Sequence, residues 1–208
     1  MSLPVVTQDA KPPTDSYALN IRLDAYEKYS DKDINSVLDP YITRFQDASN
    51  VSILDVGCGR GKQTEYLLNA LPNANIHSFD ASEDSINNIK TLFPDSICAQ
   101  VIDYNNNDQL LSFLNSAGGK FDLITSFYSI YYANDVGALL QTLREFLQPN
   151  GVLVLVGYSQ YNNKELVEFY ENDKRQQFET ADFLSRTNLG SPFESDHCEE
   201  FYFSNPLR

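Results

Sequence analysis

Three glycines at alternate positions separate an apolar run from an amphipathic one in the segment ILDVGCGRGKQTEYLL (53–68). Glycine permits positive φ angles and lets a ligand approach the backbone where a Cβ would collide. The next apolar run ends in Asp80, about twenty residues downstream, where a carboxylate can accept hydrogen bonds from both hydroxyls of a ribose. This spacing predicts a nucleoside-binding turn between a strand and a helix.

The residues around the turn separate two classes of ligand. The dinucleotide fingerprint is Gly-x-Gly-x-x-Gly, whereas here the third glycine, Gly61, comes one residue earlier. Asp55 lies just before the turn, and a carboxylate there is unfavourable beside a pyrophosphate but suits the ammonium of a methionine moiety. The alternative is a tight turn that binds nothing, with Asp80 serving as an acid at the N-terminus of the next helix.

The turn resembles motif I of the class I S-adenosylmethionine-dependent methyltransferases, Asp/Glu-x-Gly-x-Gly-x-Gly, and the resemblance extends over residues 51–156. It implies S-adenosyl-L-methionine as cofactor and a Rossmann-like methyltransferase fold. Asp80 would hold the ribose, Asp103 would meet the adenine amino group, and Ser126 would lie near the sulfonium. The cofactor-binding residues that the resemblance implies are Asp55, Gly57, Cys58, Gly59, Gly61, Asp80, Ala81, Ser82, Ile102, Asp103, Tyr104, Ser126 and Phe127.

A group of tyrosines provides the candidates for the acceptor side of the site. Tyr128, Tyr131 and Tyr132 follow the fourth apolar run, and Tyr26 lies in the N-terminal segment. Tyrosine offers both an apolar wall and a polar handle for a small acceptor. The alternative for each is packing in the core or in a lid. The Tyr-Tyr-x-x-Asp turn ending at Asp135 is similar, more weakly, to the histamine N-methyltransferase type.

Strands and helices alternate along the rest of the chain. Apolar runs predict strands at 51–56, 75–80, 97–103, 121–127 and 151–158, and helical periodicity predicts helices at 63–71, 82–93, 108–117, 135–147 and 163–178. This order predicts a doubly wound α/β fold, with a mostly parallel sheet and helices on both faces. Only 198–204 remains as a further strand, so the C-terminal strands are reduced, or a partner chain such as a second copy covers that edge.

The whole chain is predicted to form one domain. Residues 1–16 form a polar arm, and residues 17–208 form a single domain with a helical N-terminal lid at 17–48. The first 15 residues lack the basic and apolar regions of a secretory signal. Three widely spaced cysteines favour reduced thiols and a cytoplasmic location.

Composition excludes several classes of partner. The formal net charge is −14, which repels phosphate backbones, so we expect no nucleic-acid partner. No apolar run approaches the roughly 20 residues that span a bilayer, so we expect no membrane partner. With two histidines and no Cys-x-x-Cys pair, no metal site is predicted.

The sequence therefore predicts methyl transfer from S-adenosylmethionine to a small-molecule acceptor by direct in-line displacement. Such a reaction depends mainly on alignment and exclusion of water, and a neutral amine acceptor needs no dedicated base. No catalytic residue is assigned. The alternatives are a protein or peptide methyltransferase and a non-catalytic S-adenosylmethionine-binding module. The glycine spacing disfavours a third, an NAD-dependent oxidoreductase.

Overall fold

The computed structural model describes residues 33–157, which form five strands and the helices that connect them. The strands are β1 (Ser52–Val56), β2 (Asn75–Asp80), β3 (Ile97–Val101), β4 (Phe121–Phe127) and β5 (Leu147–Val156). The α-helices are α1 (Asp39–Phe45), α2 (Lys62–Ala70), α3 (Glu83–Leu92), α4 (Asn107–Ser116) and α5 (Val136–Glu145), and short 3₁₀ helices cover Ile34–Leu38 and Ile130–Tyr132.

The five strands form one sheet in the order β3-β2-β1-β4-β5, and every neighbouring pair is parallel. The chain runs outward from β1 to β3 and then returns to place β4 on the other side of β1. The carboxyl ends of β1 and β4 therefore form the topological switch point, where ligands bind in sheets of this kind. The predicted doubly wound fold is confirmed.

Helices cover both faces of the sheet because successive strand residues point to opposite sides. On one face, Ile53 and Leu123 are fully buried in a cluster that includes Leu67 of α2. On the other face, Leu54 and Ile124 are fully buried in a cluster supplied by α4 and α5. Each face has its own apolar core, and the core supplied by α4 and α5 extends to Ile102 and Ile130 in the loops after β3 and β4.

The helices after β2, β3 and β4 each begin with a side-chain cap. The capping oxygens belong to Ser82, Asn106 and Asp135, at 3.3, 3.2 and 2.9 Å from the backbone nitrogens that they accept from. Helix α2 begins instead on Gly61, whose φ is 86°, with no side-chain cap among the described residues. The N-terminus of α2 thus differs from the other three at the predicted ligand turn.

The structure places the start of β5 earlier than the predicted residue 151. Phe121 pairs with Leu147, but Leu123 pairs with Val152, so the residues between bulge out of the sheet. Asn150 has a φ of 64°, and a Cβ on Gly151 would lie 2.9 Å from the carbonyl oxygen of Phe121. The Pro149-Asn150-Gly151 segment therefore forms a bulge within β5 rather than a turn that precedes the strand.

Several predictions lie outside the described residues. They are the polar arm at 1–16, most of the lid at 17–48, the helix at 163–178 and the candidate strand at 198–204. Within residues 33–157, none of the helices is long and apolar enough to cross a membrane.

Candidate functional site

The glycine turn after β1 is fastened to the end of β2. The backbone N–H groups of Gly57 and Cys58 both donate to the carbonyl oxygen of Phe79, at 2.9 and 3.0 Å. Gly57, Gly59 and Gly61 have φ angles of 66°, 52° and 86°, all in the left-handed region. These are the conformations that glycine adopts without strain, which explains the spacing of the motif.

Two of these glycines also allow close packing. A Cβ on Gly57 would lie 1.8 Å from Oγ of Ser129, which follows β4. A Cβ on Gly61 would lie 2.8 Å from Cγ1 of Ile89 in α3. The turn is therefore held between the loop after β4 and the helix after β2, and a side chain at either position would displace a neighbour.

Asp80 joins the glycine turn to the start of α3. Its Oδ2 accepts from the backbone N–H of Gly59 at 2.9 Å, and its Oδ1 accepts from the N–H of Ser82 at 2.8 Å. The side chain is partly exposed. An ionised carboxylate has about four acceptor positions, so two remain for other donors. A ribose offers two hydroxyl donors, which fits the role predicted for Asp80.

Asp55 lies beneath the turn and is 1% exposed. Its Oδ2 accepts from the Thr64 hydroxyl of α2 at 2.6 Å, and its Oδ1 accepts from the Thr125 hydroxyl of β4 at 3.1 Å. Burial raises the pKa of Asp55 to about 6, although the two hydroxyl hydrogen bonds oppose this shift. Any influence on a methionine ammonium must therefore act across the turn, because the carboxylate does not reach the surface.

Cys58 contributes its backbone to the turn and its side chain to the core. The residue is 4% exposed and packs with Ile86 and Ile89 of α3. Burial raises the pKa of the Cys58 thiol well above its ordinary value, and the nearby carboxylates of Asp55 and Asp80 raise it further. The thiol stays protonated and packs in the core. Any contact between Cys58 and the cofactor would therefore be made by its backbone.

The residues after β3 form the predicted adenine side. Ile102 is 8% exposed, and its N–H donates to the carbonyl oxygen of Asp80 at 3.0 Å. Asp103 is exposed, and its Oδ1 accepts from the N–H of Asn105 at 2.9 Å. Burial raises the pKa of Tyr104 to about 12, so its hydroxyl stays protonated and donates to the carbonyl oxygen of Ser129 at 2.8 Å.

The end of β4 differs from the prediction in its exposure. Ser126 is fully buried, its hydroxyl has no hydrogen-bond partner among the described residues, and Phe127 is only 7% exposed. Their side chains lie in the core, so a cofactor could reach only their backbone. The next residue, Tyr128, is half-buried and has a φ of 51°. A bulky side chain in the left-handed region is strained, and such strain clusters at functional sites.

The acceptor-side tyrosines share one short loop. The rings of Tyr131 and Tyr132 lie 4.7 Å apart, tilted by 50°, in the 3₁₀ helix that follows β4. Both are half-buried. Tyr26, the fourth candidate, lies outside residues 33–157. On the cofactor side, the predicted residue Ala81 is exposed beside Asp80.

Sequence reasoning missed the residues that hold the site together. Thr64 and Thr125 bind the Asp55 carboxylate, Ser129 contacts Gly57, and the Asn105 side chain bonds to the tyrosine loop. A signal existed for Thr125, because it is a polar residue within a buried strand, next to Ser126. No comparable signal marks Asn105, since asparagine is ordinary in a loop.

Taken together, the site offers what a nucleoside linked to an amino acid requires. The start of α2 has no side-chain cap among the described residues, and the N-terminus of a helix suits an anionic carboxylate. The partly free Asp80 carboxylate suits ribose hydroxyls, and Asp103 suits an amino group. These are the residues that would hold S-adenosylmethionine, and their chemistry fits it.

The sequence of the chain matches a known family over most of its length. The model of the methyltransferase domain family matches residues 27–200. The malonyl-[acyl-carrier protein] O-methyltransferase of Acetivibrio thermocellus is 31% identical over 156 residues, which cover 73% of this chain and 50% of that protein. Its namesake from Bacillus anthracis is 26% identical over 192 residues, covering 91% and 64%. The chain thus spans between half and two thirds of the length of these relatives.

Solved structures show the same fold. The plantazolicin methyltransferase BpumL in complex with SAH has a TM-score of 0.58 at 20% identity, over 74% of this chain and 58% of that one. The sugar N-methyltransferase KedS8 from Streptoalloteichus has a TM-score of 0.54 at 19% identity, over 76% and 60%. At these identities the likeness establishes the architecture of the chain.

Proposed function

The chain belongs to the class I S-adenosylmethionine-dependent methyltransferases, and from this we propose that it transfers the methyl group of S-adenosylmethionine to a small-molecule acceptor by in-line displacement. The observation that carries the proposal is the position of Asp80, which binds the glycine turn through Gly59 and keeps acceptor positions free at the switch point of the sheet.

The chain's own residues supply binding and alignment. S-adenosylmethionine supplies, when bound, a methyl group on a sulfonium that leaves as a neutral thioether. Asp80 would orient the ribose, and the negative charge of Asp55 would favour the cationic end of the cofactor across the turn. Holding two reactants in line and excluding water accounts for about 7–11 kcal/mol of a barrier in well-oriented reactions.

The acceptor side supports a neutral amine better than an acceptor that must lose a proton before it attacks. The adenine-side residue Tyr104 reaches the acceptor loop through its hydroxyl, but burial raises its pKa to about 12, which makes it a poor general base at neutral pH. Tyr131 and Tyr132 provide an aromatic wall, which attracts cations and apolar groups. Two half-buried tyrosines in a chain of net charge −14 favour amines over anions.

The names of the curated relatives favour a second candidate. Both are named for O-methylation of a malonyl group on acyl-carrier protein. A carboxylate acceptor is already deprotonated at neutral pH, so it also needs no base. The second candidate is therefore carboxyl methylation of an acyl thioester, and it differs from the first in the charge of the acceptor.

The test is methyl transfer from radiolabelled S-adenosylmethionine to a panel of small amines, small carboxylic acids, malonyl thioesters and basic peptides. We expect label in an amine, less in the Asp80→Ala variant and undiminished label in Asp122→Ala. Asp122 is a matched control, since it also accepts from a backbone N–H, that of Ser52, but at the opposite end of the sheet. Label in the malonyl thioester alone would favour the second candidate. Binding of S-adenosylhomocysteine without transfer to any acceptor would favour the non-catalytic module.

We also infer a cytoplasmic location. The support comes from the chain's three cysteines, of which Cys58 and Cys98 are free thiols in the part of the chain that the structure describes. Reduced thiols are typical of proteins in a reducing compartment. Fractionation of cells that express the tagged chain would test this location.

A further inference from the structure

The predicted adenine loop and the predicted acceptor loop are joined through one side chain, that of Asn105. Its Nδ2 donates to the carbonyl oxygen of Tyr132 at 3.4 Å, and its Oδ1 accepts from the backbone N–H of Asn134 at 2.7 Å. The amide therefore binds the C-terminal end of the 3₁₀ helix that carries Tyr131 and Tyr132, and the backbone that follows this helix. Tyr132 and Asn134 lie 27 and 29 residues after Asn105 in the sequence, so it is the fold that brings these residues into contact.

Asn105 is in turn held by a residue predicted to bind the cofactor. Its backbone N–H donates to Oδ1 of Asp103 at 2.9 Å, which fixes the turn from which the amide side chain projects. Asp103 would meet the adenine amino group with its other oxygen. A continuous series of hydrogen bonds thus runs from the predicted adenine position to the tyrosines of the acceptor side.

A second contact fastens the same acceptor loop to the cofactor side. The Tyr104 hydroxyl donates to the carbonyl oxygen of Ser129 at 2.8 Å, and Ser129 in turn packs against Gly57. The loop after β4 therefore touches both cofactor-side loops. Tyr104 is anchored in the core by an edge-to-face contact with Phe79, whose ring centroid lies 6.4 Å away. The contacts of Asn105, by contrast, are exposed to solvent.

From this arrangement we propose that Asn105 is a positioning residue, through which occupancy of the cofactor site orders the acceptor-side tyrosine loop. This rests on the proposed function, because it takes Asp103 as part of the cofactor site. Hydrogen bonds exposed to water open readily, so the tyrosine loop should be less stable than the core-anchored loop that carries Tyr104. A cofactor that restrains Asp103 reduces the motion left for Asn105, and thereby favours the ordered loop. The consequence is positive coupling between the two sites, in which bound cofactor favours binding of the acceptor.

The coupling can be measured without a known acceptor, because binding at the cofactor site alone should order the tyrosine loop. The experiment is hydrogen exchange measured by mass spectrometry on the full chain, with and without saturating S-adenosylhomocysteine. We expect the ligand to slow exchange both in residues 57–61 and in residues 129–134. In Asn105→Ala, slowing at 57–61 persists, whereas slowing at 129–134 falls about tenfold, since two hydrogen bonds across the loops are lost.

Two further variants separate positioning from general stability. Asn115→Ala is the matched control, because its amide bonds only within α4, to the carbonyl oxygen of Leu111, and it should exchange as the unmodified chain does. Asn105→Asp keeps the acceptor for Asn134 but loses the donor to Tyr132, so it should retain part of the slowing.

The outcomes distinguish this inference from the proposed function. Slowing at 57–61 without slowing at 129–134 in the unmodified chain would overturn the coupling while leaving the cofactor site intact. Full slowing at 129–134 in Asn105→Ala would overturn the role of Asn105. No slowing anywhere, with no binding of S-adenosylhomocysteine by folded protein, would instead overturn the proposed function on which the coupling rests.

Discussion

Asp80 and Gly57 illustrate how single residues at this site serve two neighbours at once. The Asp80 carboxylate accepts from N–H groups in two neighbouring loops, that of Gly59 after β1 and that of Ser82 after β2. Gly57 combines a φ of 66° with a close approach to Ser129. Each position therefore has two independent reasons for its residue type, and a substitution there should affect the site more than its own local fold.

Gly57→Ala tests the second of these positions. We expect it to destabilise the chain by more than the approximately 1–2 kcal/mol that a left-handed conformation costs an alanine, because its Cβ would also collide with the Ser129 side chain. Binding of S-adenosylhomocysteine should weaken at least about tenfold as the turn shifts. Urea unfolding and calorimetric titration measure the two effects.

Gly118→Ala provides the control for strain alone. Gly118 has a φ of 97°, but no atom lies within 4 Å of its added Cβ, and it precedes β4 at the far end of the sheet. This variant should lose stability without losing affinity. Equal losses of affinity in both alanine variants would contradict the steric explanation.

His77 is a buried residue whose polar atoms the fold leaves without partners. It is 8% exposed, its ring lies edge-on to Phe113 and Phe121, and neither ring nitrogen has a hydrogen-bond partner among the described residues. Burial lowers the pKa of His77 below its ordinary value of 6.5. The unfolded chain therefore binds this proton at a higher pH than the folded chain does, and stability is lost as the pH falls below 6.5.

His77→Leu should remove this loss of stability. The side chains are similar in volume, and leucine has no polar atom to leave unpaired. As the pH falls from 7 to 5, we expect the free energy of unfolding of the variant to rise relative to that of the unmodified chain, by up to about 1.4 kcal/mol per pH unit. Urea unfolding at several pH values measures this difference. A difference between the two proteins that does not change with pH would show that His77 accepts a proton equally well in both states.

At the scale of elements, Asp55 connects three of them. The carboxylate belongs to β1, and its two hydroxyl partners belong to α2 and β4. Because burial raises its pKa from 3.8 to about 6, the folded chain holds this proton more tightly than the unfolded chain. The contribution to stability is full below pH 3.8 and is lost as the pH rises through 6. The sign is opposite to that of His77.

Asp55→Asn tests this connection. The amide keeps an oxygen for one threonine and carries no charge, so position 55 should no longer contribute to the pH dependence of stability in this range. At pH 8 the variant should be more stable than the unmodified chain by up to about 3 kcal/mol, and the gain should shrink towards pH 5. Its affinity for S-adenosylhomocysteine should fall, since the negative charge beneath the turn is lost. A less stable variant at pH 8 would show that the hydrogen bonds outweigh the buried charge.

The elements also show which features the sequence could predict. β2 and β4 coincide with their predicted ranges, because their apolar runs are bounded by polar and turn residues. The start of β5 was predicted too late, since the Pro-Asn-Gly turn forms a bulge that pairing with β4 absorbs. Local patterns report local geometry, and this bulge depends on the neighbouring strand.

The same limit applies to the site. The predictions for Gly57 and Asp80 follow from spacing within the first strand–helix–strand unit, and the structure brings the glycine turn and the end of β2 together. Ser129 and Asn105 come from later units, and only the assembled sheet places them. Ser126 was expected beside the cofactor, but its position in β4 buries its side chain.

At the scale of the whole molecule, the sheet order decides where the site lies. Because all five strands are parallel, the loops after β1, β2, β3 and β4 lie at one edge, and the return of the chain between β3 and β4 creates the switch point there. Two apolar cores hold the strands beneath that edge, and the one supplied by α4 and α5 extends to Ile102 and Ile130 in the loops. Asp80 lies outside both cores, so a variant there can lose affinity while the fold remains intact.

The most direct test of the central claim is calorimetric titration of the full chain with S-adenosylhomocysteine, with the variants Asp80→Ala and Asp122→Ala beside it. We expect micromolar binding by the unmodified chain and by Asp122→Ala. Binding by Asp80→Ala should be weaker by about a hundredfold or more, because charge-assisted hydrogen bonds to the ribose and to the turn are lost. Folded protein that shows no binding, or an Asp80→Ala variant that binds as tightly as the unmodified chain, would contradict the central claim.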